Sequence, residues 1–467
     1  MAWIIELLAA CDGQDPPRPR PQPGCEVEAP ACDRPVVTAP VRLTSDERGD
    51  FTGRFLDVVD LDGDGCDEVL ATSSHERARH PYGTSLEITS GVYLLGAVAT
   101  DGTLASTAIS SWVGSERTPI WGTSPGAIAL PVARQVLIGG IATTSIDYAS
   151  AFDWSGSDFE VPSTAWVGLL RGAEGASDVV SRFTRCVVDG LEHVCASSFH
   201  TEPGDFAGEV HVVPAPVHGV VELQAVGTIW TGEPGERAEV VDGRTDVDGD
   251  CSPDLLVGAY AAGRRAGGQV ALLADPGTVG GRLWDAAAAT FVGTTPGAEF
   301  GLFVGGGDLD GDGVGEVLAG APLTADGALY VFRGPFAGER RDVDAEWIVQ
   351  GTEGRFDWLG YDAAVGDFDG DGRPDLAVGR PRSVYSGTEP GEVLVFLHPA
   401  PGRYDVSDAD VVLTGATGRP DAFGLSIEVG FLDGDERADL VIGAPMDPEV
   451  ARESGSVTVI HGAALGG

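Results

Sequence analysis

The sequence predicts an all-β fold, a seven-bladed β-propeller built from units of about 60 residues. Three observations predict it: an acidic, glycine-rich loop recurs, its copies are evenly spaced, and each runs into a short apolar stretch of β-forming residues. The fullest copy is Asp308-Leu-Asp-Gly-Asp-Gly-Val-Gly-Glu316, followed by Val317-Leu-Ala-Gly-Ala-Pro322. Other copies set carboxylates at Asp60, Asp62, Asp64 and Glu68, at Asp246, Asp248, Asp250 and Asp254, and at Asp367, Asp369, Asp371 and Asp375. A fifth keeps Asp433, Asp435 and Asp439 but has Phe431 in place of the first acid. From Asp246 to Asp308 is 62 residues, from Asp308 to Asp367 is 59, and from Asp367 to Phe431 is 64. The 186 residues from Asp60 to Asp246 leave room for two degenerate units between them. Such a repeat is too long for a helical hairpin and suits a four-stranded blade; seven units fit.

Three acids at alternate positions, glycines that permit a tight backbone, and a fourth acid eight residues after the first make an oxygen-only cage. The expected ion is Ca²⁺, about four or five per chain, held by the acids of positions 1, 3, 5 and 9 and the carbonyl of position 7. A helix-loop-helix calcium site would need a Glu at position 12, where this chain has Ala71, Val257, Ala319, Val378 and Ile442. The loops therefore sit between strands, and the ion is expected to staple a turn rather than bridge to a ligand. Glycine at position 6 favours φ > 0, and another residue there costs on the order of 1 kcal/mol. Cys251 and Glu436 hold that position in two loops, so affinity should rank the loops at Asp60, Asp308 and Asp367 first, Asp246 next and Asp433 last.

These units resemble the FG-GAP repeat of integrin α-chain propellers and many bacterial surface proteins. The resemblance rests on Phe300-Gly301, Leu359-Gly360, Phe423-Gly424 and Gly53, each Gly seven residues before its loop, and on Gly320-Ala-Pro322, Gly443-Ala-Pro445, Gly379-Arg-Pro381 and Gly258-Ala-Tyr260. It covers roughly residues 36–465 and implies a seven-bladed propeller with Ca²⁺ between two strands of a blade. It implies no single activity.

Taken in order, residues 1–11 end in Leu8-Ala9-Ala10-Cys11, which looks like the lipobox of bacterial lipoproteins, so Cys11 is a candidate lipidation site. Residues 12–35 read as a Pro-rich tether, and 36–467 as the propeller. The six cysteines besides Cys11 fit an oxidising compartment. A four-residue loop from Asp189 to Glu192 would set Cys186 opposite Cys195, giving one expected bridge; Cys25 with Cys32 is the other, and Cys66 and Cys251 stay unassigned. Val36 to Thr44 should supply the outer strand that the last unit lacks, closing the ring with the N-terminal strand and removing a sheet edge. Blade 1 runs from Asp50 to Leu95. Blade 2 carries the hairpin Ile128 to Ile138 without carboxylates, blade 3 has the Cys186/Cys195 hairpin where a metal loop would be, and blades 4 to 7 follow the pattern.

The 467 residues include 68 Gly and 30 Pro and no apolar run of membrane-spanning length. The net charge is -43 and every one of the 29 basic residues is Arg, which makes nucleic acid an unfit partner. No catalytic constellation stands out. Ser124 in Gly122-Thr-Ser-Pro-Gly126 is followed by Pro125, which lacks the N–H an oxyanion hole requires. His75 and His80 read as solvated, and Arg48-Gly49-Asp50 as a coincidental adhesion tripeptide. The expected function is a non-enzymatic binding or adhesion module outside the cytoplasm, monomeric, taking a protein or glycan ligand on the face opposite the metal loops. The alternative is a carbohydrate-binding protein, hydrolase or lyase with its site on that face, for which Trp112, Trp121, Trp154, Trp166, Trp230, Trp284, Trp347 and Trp358 are candidate lining residues.

Overall fold

The computed structural model describes residues 32–44, 52–77, 87–96, 101–103, 108–113, 126–140, 148–154, 160–162, 167–171, 182–198, 206–226, 228–263, 267–274, 276–277, 280–323, 327–352, 357–382, 389–415, 419–448 and 454–465. The lipobox with Cys11, Cys25, the Arg48–Asp50 tripeptide, Ser124 and His80 lie outside them.

Seven sheets, each with four antiparallel strands, make up the described residues. Their innermost strands are Leu56–Val59, Gly126–Leu130, Arg182–Val188, Ala238–Asp242, Phe303–Gly307, Ala363–Gly366 and Ser426–Gly430. Each contacts the innermost strand of the next sheet, and the last contacts the first, so the ring is closed. This is the seven-bladed propeller. Blade 7 consists of Ser426–Gly430, Asp439–Ala444 and Ser456–Ile460, and its fourth strand is Val41–Thr44, pairing Val41 with Val459 and Leu43 with Val457. Residues 36–40 are not part of that strand.

The sequence pattern gives no sign of a fifth strand. In blades 1 to 6 the link between the third and fourth strands adds a short parallel strand to the outer edge of the preceding blade: Gly338–Arg341 lies along Ala289–Val292, and Gly402–Asp405 along Trp347–Gln350. Blade 6 has only four strands among the described residues. The reason is topological: the third and fourth strands of blade 7 come from opposite ends of the chain, so no link joins them.

The paired glycines of the repeat now have a physical role. Gly301, Gly360 and Gly424, with φ of +87°, +78° and +85°, donate their N–H groups to the carbonyls of Gly320, Gly379 and Gly443 in their own blades. Their own carbonyls press on the preceding blade, where a Cβ on Gly258, Gly320 or Gly379 would stand 2.1, 2.0 or 2.3 Å from the oxygen. Gly443 meets Gly53 in the same way at 1.9 Å across the seam of the ring. The preceding aromatic fills the space between blades: Phe300 is 1% exposed and packs with Phe332 and Tyr330. A fully buried side chain of this size contributes about 1.5–3 kcal/mol.

Candidate metal loops and the channel mouth

Four loops share one backbone. In those that begin at Asp60, Asp246, Asp308 and Asp367, the residues at positions 4 and 6 all have positive φ, including Cys251 at +69°. The first Asp holds this shape, one oxygen accepting the N–H of position 4 and the other that of position 6, at 2.5–2.9 Å. The ninth residue, buried in every loop, accepts the N–H of position 2 at 2.6–3.0 Å. The side chain at position 2 then points inward as a core residue, as with Leu61, Val247, Leu309, Phe368 and Leu432.

Carboxylate oxygens converge within 4.8 Å of one another in the groups Asp60/Asp62/Glu68, Asp246/Asp248/Asp250, Asp308/Asp310/Glu316 and Asp367/Asp369/Asp371. Asp64, Asp254, Asp312 and Asp375 belong to the same loops but stand outside these groups. Burial, reinforced by the neighbouring acids, pushes the carboxyl of Glu316 and that of Asp254 up to about 8, and burial pushes Asp375 up to about 6. Glu68 rises to about 7 through burial, against the pull of Arg34. Crowded, desolvated acids of this kind fit a divalent cation, whose charge would remove the penalty. The Oδ1 atom of Asp254 is buried with no hydrogen-bond partner among the described residues, which fits the same reading.

The fifth group differs. It joins Asp433 and Asp439 to His461, and Asp435 is not part of it. Phe431 cannot accept the N–H groups of positions 4 and 6, and accordingly neither Gly434 nor Glu436 adopts positive φ.

The sequence did not reveal Arg34, which reaches across the first loop to Glu68 and stands 3.7 Å from Asp64. Cys32 anchors it there through a disulfide to Cys66. The expected Cys25–Cys32 bridge is thereby corrected, because a bond to Cys66 leaves Cys32 no sulfur for Cys25. Cys186 and Cys195 are bridged, but across a two-residue turn, Asp189-Gly190, with both residues at positive φ. That register sets Cys186 opposite His193 and Cys195 opposite Thr184, so the bridge is diagonal. Two disulfides fit an extracytoplasmic chain.

The innermost strands surround a cavity of about 220 Å³, lined mainly by residues at or near their starts, such as Arg54, Leu302, Tyr361 and Leu425, and in blade 4 by Asp242 and Arg244 at the far end of the strand. Arginines from blades 3 and 4 cross it to acids of blades 1 and 7, Arg185 to Asp57 at 2.7 Å and Arg244 to Glu428 at 2.8 Å, while Arg244 also pairs with Asp242 of its own blade at 2.7 Å. Asp362 accepts the N–H groups of Ala363 and Ile427, and burial together with the charge of Glu428 pushes it up to about 8. The ring of Tyr361, which lines the cavity, stacks on Trp358 at 5.9 Å. Most tryptophans are elsewhere: Trp154, Trp230 and Trp347 are buried in blades, and Trp284 donates to Glu236. Trp121 and Trp166 lie outside the described residues, as does the side chain of Trp112.

The FG-GAP repeat model matches residues 359–396, which span the loop and three strands of blade 6. Phosphatidylinositol-glycan-specific phospholipase D of Mus musculus is 33% identical over 186 residues, covering 37% of this chain and 22% of that protein. Integrin alpha-5 of Xenopus laevis is 34% identical over 170 residues, covering 33% of this chain and 15% of that one. The matches thus span about a fifth or less of those relatives' length. Among solved structures, the Dos1 propeller aligns over 92% of this chain and 94% of its own, with a TM-score of 0.48 and 8% identity. The chain thus carries an FG-GAP repeat in blade 6 and is similar over part of its length to integrin α chains and to that phospholipase.

Proposed function

We propose that this chain is a non-enzymatic binding module, stapled by calcium and working outside the cytoplasm, which takes a protein or glycan ligand at the channel mouth. The observation that carries this reading is the division of labour between the two ends of the channel. At one end the first acid of each metal loop is engaged by its own loop's N–H groups, so a bound ion serves the turn. Toward the other end, charged side chains and Tyr361, on whose ring Trp358 stacks, face a cavity. A lipid on Cys11 would tether the module through its Pro-rich segment; otherwise it is secreted. It acts as a monomer. The test is bound calcium per chain with the melting temperature before and after chelation. About four or five ions and a large fall in melting temperature are expected; no bound metal and no shift would remove the staple reading.

A second reading, a carbohydrate-binding or carbohydrate-cleaving site, is favoured by the Trp358–Tyr361 stack beside Asp362, since sugar rings pack on aromatic faces and bond to carboxylates. A glycan screen with the wild type and Tyr361→Ala decides it. Capture that is lost in the variant supports a sugar site, and capture unchanged by the variant moves the ligand elsewhere.

A further inference from the structure

We propose that the cluster in blade 7 is a transition-metal site, best suited to Zn²⁺, that clasps the two ends of the chain where the ring closes. It uses His461 Nδ1, Asp433 Oδ2 and Asp439 Oδ1. The imidazole nitrogen stands 3.3 Å from the first oxygen and 3.4 Å from the second. The three side chains are between 0% and 2% exposed.

Geometry separates this site from the calcium loops. A tetrahedral ion with bonds of about 2.0–2.2 Å to nitrogen and oxygen holds its donors roughly 3.3–3.5 Å apart, the spacing seen here. Calcium needs six to eight oxygens at about 2.3–2.6 Å, whereas this loop has lost its first acid and the left-handed turns at Gly434 and Glu436. A nitrogen donor also shifts preference from calcium toward zinc and its neighbours. A cation between two buried carboxylates offsets their mutual repulsion, and the donors present select a borderline one.

The location gives the site its role. His461 directly follows the last strand, Ser456–Ile460, and the N–H of Gly462 donates to Asp439 Oδ1 at 2.9 Å. Asp433 Oδ2 accepts the N–H of Val37 at 2.6 Å, four residues before the closing strand Val41–Thr44. Gly434 lies so close to the incoming chain that a Cβ there would be 2.2 Å from the carbonyl of Arg34. An ion at this point would tie the loop to the C-terminal strand directly and to the N-terminal segment through Asp433.

The test is elemental analysis of the full chain after dialysis against excess calcium with trace zinc, comparing wild type with His461→Gln and Asp433→Asn. The expected result is about one zinc retained per wild-type chain and none in either variant, with calcium content unchanged. Should the variants fail to fold, cobalt titration of the calcium-saturated wild type replaces them, and the intense visible absorption of a tetrahedral Co²⁺ site is expected. Wild type that holds no zinc under these conditions, or cobalt that gives only a weak octahedral spectrum, overturns the clasp. So does zinc retained equally by both variants. Loss of the clasp would leave the calcium staples intact, so its failure is distinguishable from failure of the staple reading.

Discussion

Asp308 accepts the N–H groups of Gly311, Asp312 and Gly313 at 2.8, 3.1 and 2.9 Å, so it shapes the loop as well as presenting oxygens to an ion. Asp308→Ala is expected to lose one bound calcium and about 2–4 kcal/mol of stability, read by urea denaturation alongside calcium content. The acids at position 9 set a pH dependence. Their unfolded carboxyls titrate near 4, whereas in the metal-free fold Glu316 and Asp254 titrate at about 8 and Glu68 at about 7. The fold thus binds protons that the unfolded chain has released, and stability falls as pH rises between about 4 and 8. Chelated protein should melt higher at pH 5 than at pH 8, and saturating calcium should abolish that difference. The alternate acids were legible in the sequence because a metal loop needs them at fixed offsets. Arg34 and His461 were not legible, since each reaches its loop from a distant part of the chain and no local spacing marks it.

At the scale of elements, the close approach of blades makes some glycines irreplaceable and leaves others free. A Cβ on Gly320 would stand 2.0 Å from the carbonyl of Gly360, while one on Gly281 meets nothing within 4 Å. Gly320→Ala should cost roughly 3 kcal/mol or more and Gly281→Ala almost nothing, as chemical denaturation of the two variants would show. The outer strand of blade 6, Val411–Thr414, has no fifth strand along it among the described residues, and Val412 is 47% exposed. Its amides should exchange faster than those of Trp347–Gln350, which Gly402–Asp405 covers. Equal protection of the two strands would mean that something covers that edge. The four-strand blade was readable from repeat length and from the β-type runs after each loop. The fifth strand was not: pieces such as Gly281–Arg282 are two residues long with an exposed pattern, too short for any period to show.

For the whole molecule, the seam between blades 7 and 1 is where the ring can open. Closure there relies on the pairing of Val41–Thr44 with Ser456–Ile460 and on the Cys32–Cys66 bridge, which spans 34 residues. By loop-closure entropy such a bridge is worth about 3–4 kcal/mol. A Cys32→Ser, Cys66→Ser variant should melt well below wild type and should lose more than a Cys186→Ser, Cys195→Ser variant, whose bridge spans 9 residues. If the first pair changed nothing, the N-terminal segment would not be holding the seam.

The sequence by itself determined the fold class, the number of blades, the position of four acidic loops and the closing of the ring by an N-terminal strand. Each of these is written in local patterns that repeat: acids at alternate positions, glycines a constant distance ahead, a length that recurs. Only the tertiary structure decided which cysteine Cys32 takes, that His461 completes the fifth cluster, that blade 6 has no fifth strand among the described residues, and that Asp57, Arg185, Arg244 and Glu428 meet across one channel. Those contacts join residues far apart in the chain, and the physical reason they escape the sequence is that a ring sets its partners by position around the axis, which no single unit encodes.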